Sequence, residues 1–223
     1  MTDNVIAFQG EPGAYSDLAC RSVHPTMETL SCPSFEEALT AVREKRARYA
    51  MIPVENSIAG RVADIHHLLP ECGLKIVGEH YQRVVHHLLA TPGTSMAQVK
   101  TVTSHIQALT QCRKFIRDHG FKPVAHNDTA SAAQDVATRK DPSLAAISSS
   151  LAGEIYGLVS LKGDIADLPD NTTRFLIMAR EAQLPRPGSF CVTSLLFKVR
   201  SVPAALYKAL GGFATCGVNL TKI

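Results

Sequence analysis

One polar segment near position 170 carries the side chains best suited to chemistry. It reads DNTTRF over residues 170–175 and opens an expected strand over 173–179. The guanidinium of Arg174 suits two parallel hydrogen bonds to a carboxylate, and the hydroxyl of Thr173 suits donation to a departing oxygen. The structural alternative is that threonine favours strands and that Arg174 is a surface charge.

Small polar residues also follow several expected strands, where the ligands of open α/β sheets bind. These loops are residues 10–16, 55–57, 103–105 and 128–129. Hydroxyl groups and unpaired amides at helix N-termini suit anions, so together the loops predict a polar small ligand that bears a carboxylate. Each loop taken alone is better explained as ordinary helix capping.

The elements that position these loops follow from the pattern of apolar residues. Short apolar runs alternate with amphipathic stretches, which is typical of an α/β architecture. The predicted strands are 5–8, 49–54, 75–79, 83–90, 99–103, 121–126, 144–147, 158–161 and 173–179. The predicted helices are one from residue 15, then 35–45, 58–69, 104–120, 130–138 and 150–156, with capping residues Ser34, Ser104 and Asp128.

A proline- and glycine-containing segment, residues 184–189, is the clearest linker in the chain. Beyond it we predict a strand over 193–199, a helix over 204–215 and the start of a strand over 218–223. Such a β-α-β start is too small to bury its own apolar face. We therefore infer a truncated second domain.

The composition indicates a globular protein. The chain has 223 residues, of which 45% are apolar, and a net charge of +3. Lysine and arginine are dispersed, without the concentrated basic face of nucleic-acid-binding proteins, so we expect no nucleic-acid partner. No apolar run approaches the ~20 residues of a membrane span, and the first residues lack a basic leader. We therefore expect a cytoplasmic protein without a membrane partner.

The sequence contains no recognisable metal or cofactor motif. Its six cysteines form no Cys-x-x-Cys pair, and the adjacent histidines at 66–67 and 86–87 diverge in either a strand or a helix. Residues 10–13 lack the lysine of a phosphate-binding loop, and the chain has no nucleophile elbow. We expect separate buried thiols, no metal and no cofactor.

Six motifs lie within about residues 5–180: GEPGAYS at 10–16, PVENSIAG at 53–60, SHIQAL at 104–109, QC at 111–112, TASAA at 129–133 and NTTRF at 171–175. In these motifs and in their order, the chain resembles the prephenate dehydratase family. The elements Pro-x-Glu-Asn-Ser-x-x-Gly and Thr-Arg-Phe are the most specific of them. Ala14, Ile106 and Ser148 depart from the residues common in the family, but they leave Thr173 and Arg174 in place.

The resemblance implies an α/β fold with a two-lobed, periplasmic-binding-protein-like catalytic domain over residues 1–182. Lobe one is then formed by 1–76 with 160–182, lobe two by 77–159, and the ligand binds in the cleft between them. Residues 190–223 resemble the first part of a ferredoxin-like ACT regulatory domain.

The resemblance also implies an activity. The family converts prephenate to phenylpyruvate in L-phenylalanine biosynthesis, as a lyase that needs no cofactor. The catalytic residues are then Thr173, as hydrogen-bond donor to the departing hydroxyl, and Arg174, which orients a substrate carboxylate. The implied substrate-binding residues are Glu55, Asn56, Ser57, Ser104, Gln111, Thr129, Asn171, Thr172 and Phe175. Gln111 is expected to share a helix face with Ser104. The implied partners are prephenate, phenylalanine as an allosteric ligand of the full-length protein, and further copies of the chain in a dimer or tetramer.

Two other functions remain open at this point. The same two-lobed arrangement serves proteins that bind carboxylates or amino acids without catalysis, and the ACT-like tail is compatible with an amino-acid sensor. The sequence also leaves open the choice between prephenate and arogenate, the oligomeric state and the survival of feedback inhibition.

Overall fold

The structure, a computed structural model, describes residues 4–195 and 197–220 apart from the side chain of His66. It divides into two units, the first up to Leu184 and the second from Pro185. The division falls at the predicted linker.

The first unit is built from alternating strands and short helices, as predicted. Its strands are β1 Val5–Gln9, β2 Glu28–Cys32, β3 Tyr49–Asn56, β4 Gly60–Arg61, β5 Lys75–Arg83, β6 His87–Ala90, β7 Thr101–His105, β8 Lys122–His126, β9 Leu144–Ser148, β10 Val159–Lys162 and β11 Thr172–Ala179. Its helices are α1 Tyr15–Val23, α2 Phe35–Arg43, α3 Ala63–Leu68, α4 Ile106–Gln111, α5 Arg113–Asp118, α6 Thr129–Arg139 and α7 Ser150–Tyr156.

The first sheet has the strand order β2-β1-β3-β11-β5, with β4 paired to β3. Residues of β11 alternate between two cores: Phe175 and Ile177 pack on the α1 side, and Leu176 and Met178 pack on the side of α2 and α3. Apolar residues on both faces of β11 therefore place it in the middle of the sheet, covered by helices on both sides.

The second sheet has the order β10-β6-β9-β7-β8. One of its cores includes residues of α4 and α5, and the other includes residues of α6 and α7. Helix α6 begins where predicted, because the Asp128 carboxylate accepts hydrogen bonds from the backbone N–H groups of Ala130 and Ser131, both at 2.8 Å. The two sheets, each with its own cores, confirm the two-lobed α/β prediction.

The chain passes between the sheets twice, through residues 84–86 and 163–171. The lobe boundaries expected after residues 76 and 159 are therefore wrong, since both fall inside strands. Residue 76 lies within β5, which pairs with β11 of the first sheet, and residue 159 begins β10, which pairs with β6 of the second.

Several predicted elements are corrected by their hydrogen-bonding partners. Strand β2 was not predicted, because its sequence ETLSC lacks a strong apolar pattern. The strand predicted over 75–79 extends to residue 83, because it pairs along the whole of β11, and the strand predicted over 83–90 starts only at His87. The predicted helix over 58–69 is shortened to α3, because residues 60–61 pair with β3 instead.

The second unit contains one described helix, α8, at Ala205–Thr215, close to the predicted 204–215. The predicted strand over 193–199 is wrong for its described residues, 193–195 and 197–199, which adopt no strand. No described residue from Pro185 onward is buried, so these segments have neither a pairing strand nor a core to hold them extended. Of the strand predicted over 218–223, residues 218–220 are not in a strand, and 221–223 lie outside the described residues.

Gly13 lies close to the backbone of helix α7. Gly13 has φ +89°, and a Cβ there would lie 2.7 Å from Cα of Ala152. We expect Gly13→Ala to lower the free energy of unfolding by about 2–4 kcal/mol, from backbone strain and overpacking together. Gly93→Ala is the matched control, because Gly93 has φ +86° but open space around it. Equal losses in chemical denaturation of the two variants would contradict the steric part.

Candidate active site

The motif residues at 55–57 and 171–174 meet at one edge of the first sheet. Strands β3 and β11 are antiparallel, so the carboxyl end of one lies beside the amino end of the other. The register pairs Asn56 with Thr173 and Glu55 with Arg174. Two segments more than a hundred residues apart in sequence therefore lie side by side at one edge of the sheet.

The Asn56 side chain fixes the orientation of the Thr173 hydroxyl. Its Oδ1 accepts hydrogen bonds from the backbone N–H groups of Ile58 at 3.0 Å and Ala59 at 2.8 Å. The opposite end is therefore the amide nitrogen, which donates to Oγ1 of Thr173 at 3.0 Å. Because the Thr173 oxygen acts as an acceptor here, its own hydrogen remains for another partner, and within the described residues it is given to none.

Asn171 links this edge to the second sheet. It is only 1% exposed, and its Oδ1 accepts the other Asn56 amide hydrogen at 2.7 Å. Its Nδ2 then donates to Oε1 of Gln111 at 2.9 Å. Gln111 is the last residue of α4, so predicted residues from both sheets belong to one hydrogen-bonded network.

Two residues in contact with this network were missed by the sequence analysis. Nε2 of His86 lies 2.8 Å from Oε1 of Gln111, and Nδ1 of His86 lies 2.8 Å from Oη of Tyr15. Burial lowers the pKa of His86 and raises that of Tyr15, since it disfavours both charged forms. Tyr15 lies within the motif at 10–16 but was not singled out there, and His86 was considered only as a metal ligand.

Arg174 carries an ion pair that the sequence did not reveal. Its Nε and Nη2 lie 2.8 Å and 2.7 Å from Oε2 of Glu79 on β5. The two side chains are 20% and 30% exposed, so the pair is accessible from solvent. Successive strand residues point to opposite faces, so Thr173 and Arg174 reach the sheet edge from different sides.

Glu55 lies between two arginines in the sheet register. Its partner on β4 is Arg61, and its partner on β11 is Arg174. Directly opposite residues in antiparallel strands have Cβ atoms about 4.5–5.5 Å apart. The register therefore places Glu55 between two cationic residues at this end of the sheet.

Ser104 does not lie where it was predicted. It belongs to β7, is fully buried, and its hydroxyl donates to the carbonyl of Ile147 at 2.6 Å. The backbone continues as a strand through His105 because it pairs with β8. Helix α4 starts one residue later, so Ser104 and Gln111 do not share a helix face.

Two other candidate residues have mainly structural contacts. Ser57 donates to the carbonyl of Asp170 at 2.8 Å and accepts from the N–H of Thr172 at 3.0 Å, so it holds the turn before β11. Phe175 is 1% exposed and packs in the core, which contradicts its assignment as a substrate contact. Thr129 opens α6 and Thr172 opens β11, and both are half-buried.

The described part of the chain contains no group of three histidine, cysteine or acidic side chains arranged to hold a metal ion. Cys20, Cys32, Cys72 and Cys112 are buried free thiols, whereas Cys191 and Cys216 are exposed. Burial raises the pKa of Cys112 to about 12, so this thiol beside Gln111 is a poor nucleophile at neutral pH. None of the described helices has both the length and the apolarity needed to cross a membrane.

Three histidines with pKa values lowered by burial predict that acid destabilises the fold. Burial lowers the pKa values of His24, His86 and His87 from their ordinary 6.5. As the pH falls below 6.5, the unfolded chain binds protons at these positions more readily than the folded chain, so the free energy of unfolding decreases. We expect thermal unfolding to show a falling Tm from pH 7 to pH 5, with a smaller fall in His86→Gln. An equal fall in that variant would contradict the contribution of His86.

Comparison with protein families matches residues 6–183 to the family described as prephenate dehydratase. The chain belongs to the prephenate dehydratase family. The match ends at the linker before the second unit, and it contains the whole network from Tyr15 to Thr173. Family membership and the α/β fold thus confirm the resemblance inferred from the motifs.

Two proteins and one solved structure are similar to this chain over almost its whole length. A bifunctional N-acyl-homoserine lactone acylase/prephenate dehydratase from Komagataeibacter europaeus is 50% identical over 99% of this chain and 79% of its own length. The chloroplastic arogenate dehydratase/prephenate dehydratase 1 from Arabidopsis thaliana is 41% identical over 98% of this chain, which spans 56% of that protein. A solved prephenate dehydratase from Arthrobacter aurescens, in complex with L-Phe, is 29% identical with a TM-score of 0.86, covering 98% of this chain and 75% of the other.

Proposed function

We propose that this protein is a lyase that converts prephenate to phenylpyruvate by decarboxylating dehydration. The observation that carries the proposal is the hydrogen bond from Asn56 Nδ2 to Oγ1 of Thr173, at 3.0 Å. It leaves the threonine hydrogen to be donated at the sheet edge, as a departing hydroxyl group requires. The family match supports the same reaction.

The chemistry needs no strong base. The bond between the ring and its carboxylate breaks, carbon dioxide leaves, and the electron pair completes the aromatic ring as the C–O bond to the hydroxyl breaks. Thr173 donates its hydrogen bond to the departing oxygen, which leaves as water after taking up a proton. Accepting a hydrogen bond from Asn56 polarises the Thr173 hydroxyl and makes it a better donor.

A doubly negative substrate also needs positive charge. Arg174 supplies it and orients one carboxylate, while Glu55 and Glu79 hold the surrounding arginines in place. The amide nitrogen of Gln111 adds a donor from the second sheet, because its oxygen is already occupied by Asn171. Closure of the two sheets around the substrate excludes water and strengthens these contacts.

The direct test is incubation of the purified chain with prephenate, with phenylpyruvate followed by its ultraviolet absorbance. We expect turnover far above the spontaneous rate and its loss in Thr173→Val. Arogenate is assayed in parallel, because replacing the keto oxygen by an amino group alters few contacts. Binding of prephenate without product would instead favour the alternative, a carboxylate-binding protein without catalysis.

We further propose that residues 190–223 are the first part of an ACT regulatory domain and that the full-length protein binds phenylalanine there as a cytoplasmic dimer or tetramer. The relative solved in complex with L-Phe supports this assignment. Calorimetric titration of the full-length protein with phenylalanine, with its mass measured in solution, tests both parts. No heat of binding would remove the regulatory proposal.

One observation favours a second candidate activity, hydrolysis of N-acyl-homoserine lactones. The Komagataeibacter europaeus relative, 50% identical over almost the whole of this chain, is named as both an acylase and a prephenate dehydratase. Incubation with an N-acyl-homoserine lactone, followed by detection of the released homoserine lactone, tests it. Absence of release by a preparation that converts prephenate would exclude the acylase activity.

A further inference from the structure

The orientation of the Gln111 amide follows from a chain of hydrogen bonds that begins at backbone groups. The two backbone donors on Asn56 Oδ1 fix the Asn56 amide, and this in turn makes Asn171 Oδ1 an acceptor. Asn171 Nδ2 must then be the donor to Gln111 Oε1. Only the observed orientation of these three side-chain amides gives every contact one donor and one acceptor.

The donor and acceptor roles of the two His86 ring nitrogens follow from the orientation of the Gln111 amide. Gln111 Oε1 has no hydrogen to give, so the contact of 2.8 Å with His86 Nε2 requires a hydrogen on that nitrogen. Burial lowers the pKa of His86, so the ring is neutral and its Nδ1 is an acceptor. Tyr15 Oη lies 2.8 Å from Nδ1 and 2.9 Å from the carbonyl oxygen of Val85, so these two acceptors share its one hydrogen. Gln111 and Tyr15 together favour the Nε2–H tautomer of His86, and His86 holds the Gln111 oxygen.

The result of this arrangement appears at the other end of the Gln111 amide. With its oxygen bound by Asn171 and His86, the Gln111 amide nitrogen is turned away from both. Among the described residues it donates to no partner, and Gln111 itself is half-buried at the end of α4. Its two hydrogens are therefore free to bind a ligand.

We propose that Tyr15 and His86 are positioning residues, which act through Gln111 by locking its amide with the nitrogen toward the substrate. The effects that we expect on kcat/KM rest on the dehydratase function proposed above. The tautomer of His86, by contrast, can be measured whether or not that function is correct.

The first experiment measures the tautomer in the full chain by nitrogen NMR of ¹⁵N-histidine-labelled protein, with the His86 signals assigned by their loss in His86→Gln. We expect a protonated Nε2 and an unprotonated Nδ1 in the wild-type protein, and a smaller excess of this tautomer in Tyr15→Phe, which loses the donor shared with Nδ1. An Nδ1–H tautomer in the wild type would overturn the proposal. An unchanged tautomer in Tyr15→Phe would overturn the part of it that concerns Tyr15.

The second experiment compares two amide replacements of His86. Glutamine places an NH₂ group near the position of Nε2, where it is able to donate to Gln111, whereas asparagine places its amide near Nδ1. We expect His86→Asn to lower kcat/KM about tenfold to a hundredfold, and His86→Gln to recover most of that loss. Equal losses in the two variants would show that the donor at the ε position does not matter.

The third experiment asks whether the effect passes through Gln111. We expect Tyr15→Phe to lower kcat/KM about tenfold in the wild-type background but to have little further effect in Gln111→Leu, since coupled residues are non-additive. Additive losses would indicate a purely structural role and overturn the proposal. Tyr156→Phe is the matched control: its hydroxyl donates to the carbonyl of Pro12 at 2.9 Å, away from Gln111, and its loss is expected to leave kcat/KM unchanged.

Discussion

Thr173→Val is expected to lower kcat for prephenate about 10²–10³-fold, the loss associated with removal of one preorganised donor to a developing negative charge. Valine keeps the size and branching of threonine, so β11 should retain its position between β3 and β5. KM should change little, because the hydrogen bond strengthens only as the hydroxyl departs. Steady-state kinetics followed by phenylpyruvate absorbance give both constants.

The control for this prediction is Thr173→Ser, which keeps the hydroxyl and loses the methyl group. Serine is still able to accept from Asn56 and donate to the substrate, so its kcat should be much closer to that of the wild type. If valine and serine lower kcat equally, the methyl group and not the hydroxyl is important. An unchanged kcat in Thr173→Val would remove Thr173 from the mechanism.

Arg174→Gln is expected to raise KM about tenfold to a hundredfold, since a hydrogen bond between charged groups contributes about 1.5–3 kcal/mol. The ion pair with Glu79 complicates a single substitution, because it also leaves a carboxylate unpaired beside an anionic substrate. The informative measurement is therefore the double variant Arg174→Gln/Glu79→Gln, which removes both charges.

The double variant distinguishes two roles of the arginine. If Arg174 binds a substrate carboxylate, KM remains high when Glu79 is neutralised as well. If Arg174 serves only as the counter-ion of Glu79, the double variant recovers a KM near that of the wild type, and the proposed carboxylate contact is wrong. Glu79→Gln alone should lower KM, because the charge of Arg174 is then directed wholly to the substrate.

Local signals in the sequence were sufficient for much of the fold. Helix α6 begins where Asp128 caps it, and α7 has the bounds predicted from its small and apolar residues. Strands with continuous apolar runs, such as β9 and β11, were also recovered. In these segments the local preference and the tertiary structure agree.

The corrections concern features that depend on distant partners. Ser104 has the sequence of a helix cap, but pairing of its backbone with β8 extends the strand past it. The polar strand β2 is held at the sheet edge by β1 rather than by its own pattern. The contact between Tyr15 and His86 spans 71 residues, so no local rule was able to find it. The motif residues Asn56 and Thr173 lie side by side because β3 pairs with β11.

The two connecting segments of the first unit have a mechanical consequence. They run side by side, with the N–H of Val84 donating to the carbonyl of Asn171 at 2.8 Å. The closure proposed above would turn about this pair of segments, and points near a hinge axis are displaced least. The hydrogen bonds among Asn56, Asn171 and Thr173 lie next to the pair, so they would be kept in the open state. Closure would then move mainly the more distant parts of the two sheets, and the site would not have to be rebuilt in each turnover.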